Sequence, residues 1–431
     1  MQLIVLILCC RAAVAWQTRK PSAASPGLSV HAGLRAGVPS LLALDLQENI
    51  AEKRLDALIE RSCFSGRAPK PIIEPYRRYS GWLWSRWAGT VLQTCFRQIC
   101  VNSLLAVALV AAVRSTMPAL GAWPLFCPPN ESHPVIAHLT CLYAMWQYQL
   151  TLTTFVVTFF LQQAVAFWRT VYATSRQIQG RYNDIGMLLA THAARDEDGS
   201  YTPEARQLLE DVGRHVRLSH LLFWAAIEPA ASAEEAAMSE LLSPAGLDRL
   251  QRSGGGVITP AEQEALTSSG LTGGWLYAQV LEWVLVRVAA AREAPRAMRS
   301  AGAGFERTFL DKVCALRGCM GKLPDDLAAR MPLAYVHIVQ VLVDSLLYIT
   351  PFAIYPKIGA FSVFLTAILT LFYRGFLELS KSFLDPFGNL DPLGDREDAG
   401  PNMQVAVLIA ETNAGSTRWL RGASAIPFDS L

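Results

Sequence analysis

Between positions 147 and 163 the chain places Gln147, Gln149, Thr151, Thr153, Thr154, Thr158, Gln162 and Gln163 among leucine, valine and phenylalanine, with no Asp, Glu, Lys or Arg. The chemistry open to such a run is not covalent. Amide and hydroxyl groups at membrane depth are costly unless they face protein or water. They therefore either bond neighbouring helices or line a water-filled path. Thr151, Phe155 and Phe159 recur every four residues, so they share one face of a helix. Repeated around a symmetry axis, that face makes stacked aromatic rings. A phenyl edge carries partial positive charge and tolerates a passing anion, and the same rings can close a path by dewetting. A phenylalanine stripe taken alone is more often packing than pore.

Other reactive side chains are scattered. Asp344 lies inside a later apolar run, where an ionisable group is a functional candidate by default; the alternative is a structural pair with a basic group at a helix interface. His138 and His337, in or beside apolar runs, read as hydrogen-bonded interior residues. The nine cysteines include no Cys-x-x-Cys pair, which points away from a disulfide scaffold or a zinc site. Cys314 and Cys319 read as structural thiols. Asn130-Glu131-Ser132 is a glycosylation sequon, and Arg195-Asp196-Glu197-Asp198-Gly199 reads as a solvated loop. No nucleophile–base pair, metal-ligand cluster or phosphate loop is legible, so the chain does not read as an enzyme.

These residues need spans to position them. Of 431 residues 52% are hydrophobic and 17% charged, against about 25% charged in soluble chains. That deficit points to lipid, and a net charge of +2 gives no basic field for nucleic acid. The longest uncharged run, Pro134 to Trp168, exceeds the roughly 20 residues that cross a bilayer, so its helix must continue beyond the membrane. Four spans are expected, at about 98–114, 134–168, 332–355 and 358–380, the last two joined by a tight turn at Pro356 and Lys357. Trp82, Trp84 and Trp87 belong at the interface before the first. Basic residues from Lys53 to Arg97, with Arg169, Arg176, Arg181, Arg374 and Lys381, put both termini and the middle segment on the cytosolic or stromal face. Residues 169–330 read as helices on that face. Thr259-Pro260-Ala261-Glu262 is a capping box with proline at N1, and Trp275 to Ala291, interrupted by Glu282 and Arg287, is a buried helix rather than a span.

The first 50 residues read as an address. Residues 1–15 resemble a signal peptide, with a short apolar core and Ala13-Val14-Ala15 as a cleavage pattern. Residues 16–50 resemble a transit peptide, since Trp16 to Leu44 holds Arg19, Lys20 and Arg35 and no acidic residue. Together they suggest the bipartite leader of a complex algal plastid; a secretory signal and disordered linker are the alternative. Residues 51–400 are expected to form one membrane domain, read below as channel-like by resemblance, and 401–431 a C-terminal tail.

The ordered motifs resemble those of the bestrophin family of anion channels. Arg86-Trp87-Ala88-Gly89-Thr90 is similar to the signature ahead of the family's first span. Met331-Pro332-Leu333-Ala334-Tyr335 is similar to the start of its third span. Asp385-Pro386-Phe387-Gly388 stands where the family has Asn-Pro-Phe-Gly, and Asn402-Met403-Gln404-Val405 where it has Asn-Leu-Gln-Val. Phe155-Val156-Val157-Thr158-Phe159 takes the place of the neck segment, and Trp168 that of a tryptophan beyond it.

This resemblance implies an all-α membrane protein with four spans and a helical cytosolic or stromal region, assembled as a homopentamer around a pore lined by the second span. It implies passage of chloride, bicarbonate and other monovalent anions, with Thr151, Phe155 and Phe159 as the neck. Thr151 departs from the aliphatic residue expected there, which makes the first ring wetter. The resemblance also raises calcium, bound in animal members after the Asn-Pro-Phe-Gly motif. Calcium needs several oxygen ligands, and here Asp385, Asp391 and Asp395, with Asn389 nearby, are few. A solvated helix end is an equally good reading, and voltage or pH are the other gating signals open. A non-conducting membrane scaffold that recruits partners through its helical region is the alternative function.

Overall fold

The structure is a computed structural model that describes residues 72–73, 81, 85, 87, 89–116, 124–129, 134–227, 241–253, 256–299, 303–387 and 402–422. The leader, the sequon and residues 388–401, including Asp391 and Asp395, lie outside these. Helices follow in the order α1 (Val91–Thr116), α2 (Pro134–His192), α3 (Pro203–Ala226), α4 (Pro244–Arg252), α5 (Pro260–Ser268), α6 (Trp275–Arg292), α7 (Ala303–Ala328), α8 (Leu333–Ile358), α9 (Phe361–Phe383) and α10 (Val405–Gly422). No strand occurs among the described residues; two isolated bridges, Ala193 to Met298 and Arg195 to Tyr201, tie loops together.

Four helices, α1, α2, α8 and α9, are long and apolar enough to cross a membrane. Within this layer α9 packs on α1 and α2, and α8 packs on α2 and α9. Trp146, Val157 and Phe160 of α2 pack with Val339, Val343 and Leu346 of α8 and Tyr373 and Leu377 of α9. Lipid tails are as apolar as these side chains, so van der Waals fit and interhelical hydrogen bonds hold this layer together.

The first span starts at Val91, earlier than expected, with Arg97 inside the helix and exposed; a long basic side chain near a helix end reaches the interface with its charged tip. The α8–α9 turn also differs from expectation. Pro351 and Pro356 lie within α8, where packed neighbours make helical proline tolerable, and the turn falls at Gly359 and Ala360. Gly359 has φ of 58°, and a Cβ there would sit 2.5 Å from the Cys127 carbonyl oxygen. Ala360 N–H donates to Leu125 O at 3.1 Å, so residues 124–129 close over this turn.

Beyond the spans the second half of α2 enters a helical bundle, packing against α7 and α10, while α3 packs against α6 and α10. Here water supplies the driving force. Tyr182, Phe223, Leu218 and Leu221 are fully buried, and burial of side chains this size contributes about 1.5–3 kcal/mol each. Three helices open with Ser or Thr followed by proline. Thr202, Ser243 and Thr259 each accept a backbone N–H from the first turn, and Thr259 with Glu262 forms the expected capping box. Helix α6 is the expected non-spanning helix, burying Leu276, Val280, Leu281, Val284 and Val288. Helix α10, drawn from the C-terminal segment, packs onto α2 and α3. Glu411 accepts from Arg176 at 2.5 Å and Gln179 at 2.6 Å, and Gly186 leaves room for the Trp419 ring.

Candidate functional site

Helix α2 has 59 residues, about 88 Å at 1.5 Å per residue. That is enough to cross a hydrocarbon core of roughly 30 Å and carry its face deep into the bundle. Its two sides differ in chemistry. On the packed side Trp146 Nε1 donates to Thr350 Oγ1 at 2.9 Å, Gln149 Nε2 donates to Ser345 Oγ at 2.5 Å, and Thr154 Oγ1 shares a hydrogen bond with Tyr373 OH at 2.6 Å. Thr153 is fully buried on the same side. The interhelical-bonding reading therefore holds for Gln149 and Thr154.

The opposite side is unpacked. Phe155 is 70% exposed and Phe159 46%, with Thr151, Thr158, Gln162 and Gln163 exposed beside them. Thr151 and Thr158 donate to backbone carbonyls four residues earlier, at 3.1 and 2.8 Å, so their own helix satisfies their protons. The other spans expose a different surface: Leu104 and Val107 on α1, Ile338 and Val341 on α8, and Phe361, Phe364, Ile368 and Phe372 on α9. Those stripes suit lipid. The α2 stripe mixes rings with hydroxyls and amides, which lipid does not accommodate without cost.

Asp344 has the structural partner expected of one reading. Its Oδ1 meets Arg374 at 2.9 Å, and Gln340 Nε2 donates to its Oδ2 at 2.6 Å. Arg374 also meets Glu378 at 2.9 Å, Glu378 meets Lys381 at 3.1 Å, and Lys381 donates back to Gln340 at 2.6 Å. Two cations and two carboxylates thus close a neutral loop between α8 and α9. Sequence reasoning missed the loop, although Asp344 on one helix and Arg374, Glu378 and Lys381 at intervals of three and four on the next carried the signal. His138 and His337 depart from expectation: both are exposed on the chain, because each falls on the outward face of its helix.

In the bundle, Glu262 is more than a cap. It accepts from Thr259 N–H at 2.9 Å, from His215 Nε2 at 2.6 Å and from Arg214, fastening α5 to α3. Burial pushes the Glu262 carboxyl up, but the hydrogen bonds from His215, Arg214 and Thr259, with the Arg214 charge, outweigh it and hold the group well below the usual carboxylate range. His220 is fully enclosed, and burial pushes its imidazole down to about 3, leaving it neutral; Trp224 Nε1 donates to its Nε2 at 2.8 Å.

The two C-terminal motifs meet in space. Met403 N–H donates to Pro386 O at 2.7 Å, and the Phe387 ring meets Trp224 edge-on at 5.3 Å. Asp385, the described member of the calcium candidates, is 7% exposed, and among the described residues no group of three His, Cys, Asp or Glu gathers in a way that would hold a metal ion. Cys314 is exposed and Cys319 partly buried, both free thiols.

Four apolar spans, one of them running on into a helical bundle, define a polytopic all-α membrane protein. The family described as Bestrophin, RFP-TM, chloride channel matches residues 82–397, well over half of the chain. The chain belongs to the bestrophin family, and so to a family of chloride channels. No curated protein matches it in sequence. Two variants of a bacterial bestrophin homologue from Klebsiella pneumoniae are similar in structure, with TM-scores of 0.52 and 0.53. Each is 12% identical, and the matches cover 76% and 78% of this chain and 99% and 100% of theirs. At that identity the likeness is one of fold.

Proposed function

We propose that copies of this chain, five by family resemblance, surround a central axis with the exposed stripe of α2 turned inward, and that chloride and bicarbonate pass along it. Thr151, Phe155 and Phe159 form the neck of this path. The observation that carries the reading is the contrast between spans: α1, α8 and α9 expose aliphatic and aromatic stripes, while α2 exposes phenylalanine together with Thr151, Thr158, Gln162 and Gln163. Such a face is at home against water. Ring edges give a permeating anion a partial positive surface without binding it tightly, and a threonine ring at the outer end keeps that end wet. The extramembrane bundle lies on the cytosolic or stromal side, and the leader composition supports a plastid membrane, thylakoid included, over the plasma membrane.

The test is reconstitution of the purified chain in planar bilayers with anion substitution. Anion-selective current that shifts its reversal potential with the chloride gradient is expected. Silence, or a cation-selective reversal potential, overturns the reading, and silence together with stable binding partners for the bundle would favour the scaffold alternative. Fluorescent tagging of the full chain decides the membrane.

A further inference from the structure

We propose that Arg169 is an anion-concentrating site at the inner mouth of the pore, a ring of guanidinium groups that gathers monovalent anions before they enter the neck. This rests on the pore reading above and adds to it a selectivity-determining residue beyond Thr151, Phe155 and Phe159.

The placement follows from helix geometry. Thr151 and Arg169 are eighteen residues apart on one uninterrupted helix, about five full turns, so they share a face about 27 Å apart along the axis. Phe159 is about 15 Å from Arg169 on the same count. Between them the stripe continues through Gln162 and Ala166, both exposed and uncharged. The rotation of α2 at this level is fixed by the neighbouring residue: Trp168 stacks on Tyr172 at 5.6 Å and meets Phe383 edge-on at 6.0 Å. Phe383 is the last residue of α9, so Trp168 marks the inner end of the span layer, and Arg169, exposed, turns away from it.

Charge bookkeeping separates Arg169 from its neighbours. Arg176 is met by Glu411, and Arg181 by Asp184, which also takes Lys312. Among the described residues Arg169 has neither an ion pair nor a hydrogen bond. A guanidinium stays charged at every accessible pH and is weakly hydrated, so a ring of them offers exchangeable anions a permanent positive field. Charge at a channel mouth raises the local counter-ion concentration, and the effect fades as salt shortens the screening length from about 10 Å at 0.1 M to about 3 Å at 1 M.

The experiment uses the full chain in bilayers of neutral phosphatidylcholine, comparing wild type, Arg169→Gln, Arg169→Lys and Phe159→Ala. At roughly 20 mM chloride Arg169→Gln is expected to lower unitary current about 2- to 4-fold, with the difference nearly gone at 1 M. Arg169→Lys keeps the charge and should retain wild-type current. Equal currents for wild type and Arg169→Gln at low salt, while Phe159→Ala changes conductance, overturn the Arg169 site and leave the pore reading standing. A silent or cation-selective wild type overturns the pore reading itself and this site with it. A loss seen in bilayers with added anionic lipid but absent in neutral ones places the guanidinium against headgroups, which also overturns the proposal.

Discussion

The Arg374 guanidinium meets the Asp344 carboxylate at 2.9 Å across the α8–α9 interface, with side chains 21% and 33% exposed. Such a pair lies between a surface bridge and a buried one. Removing one partner leaves the other charge under-compensated, at about 3–5 kcal/mol for fully buried pairs and about 0–1 kcal/mol for exposed ones. Asp344→Ala should therefore cost about 1–3 kcal/mol, seen as a lower thermal midpoint in detergent. A double-mutant cycle with Arg374→Ala should give a coupling energy clearly above zero. Strict additivity would show that the loop of Asp344, Arg374, Glu378, Lys381 and Gln340 does not act as a unit.

The neck reading separates function from stability. Phe155 is largely exposed within its own chain and Phe159 about half exposed, so alanine at either should cost the fold less than the about 3–5 kcal/mol of truncating a fully buried phenylalanine. Conductance or gating should change in both variants. An unaltered current in Phe159→Ala removes that residue from the neck.

Gly359 gives a sharper test of the fold. Any side chain there meets both an unfavourable positive φ and the Cys127 carbonyl oxygen. Backbone strain of this kind costs about 1–3 kcal/mol. Gly359→Ala should lower the thermal midpoint, whereas Gly304→Ala, with open space around it, should not.

Histidine burial gives the extramembrane bundle a pH dependence of known sign. An unfolded imidazole titrates near its ordinary value of about 6.5, while His220 in the fold is pushed down to about 3. Between these values the unfolded chain holds the extra proton, so stability falls as pH falls, by up to about 1.4 kcal/mol per pH unit. Melting between pH 7 and pH 5 should show this slope, and His220→Gln should flatten it. Glu262 acts in a lower window. Its depressed carboxyl contributes stability that is complete above the ordinary carboxylate range and is lost as pH falls below it.

The spans were legible because hydrophobic length is a one-dimensional property: Pro134 to Trp168 announces itself without reference to any other residue. The capping box at Thr259 was legible for the same reason, since all its atoms lie within four residues. What stayed hidden was pairing at a distance. Glu262 read as a cap, and nothing local tied it to His215, 47 positions earlier. The turn at Gly359 was misplaced onto Pro356 because proline is a strong breaker in water, whereas in the spans its neighbours hold it inside the helix. On α2, composition alone left interhelical bonding and a wet face both open, and it took the direction of each side chain to assign Gln149 and Thr154 to the first and set Thr151 and Thr158 apart from them.

Helix α2 has no proline after its first residue and runs unbroken from the outer end of the span layer to His192. Its upper part presents Phe155 and Phe159, and its lower part is keyed into the bundle by Tyr182, Ile185 and Leu189. Inserting or deleting one residue between these parts turns one against the other by about 100°. On the pore reading, the number of residues joining them is thus under as tight a constraint as their identity: a one-residue insertion or deletion here would swing the phenylalanines off the proposed axis while every other side chain stayed the same. Conversely, any twist imposed on the bundle arrives at Phe155 and Phe159 with little slack to absorb it.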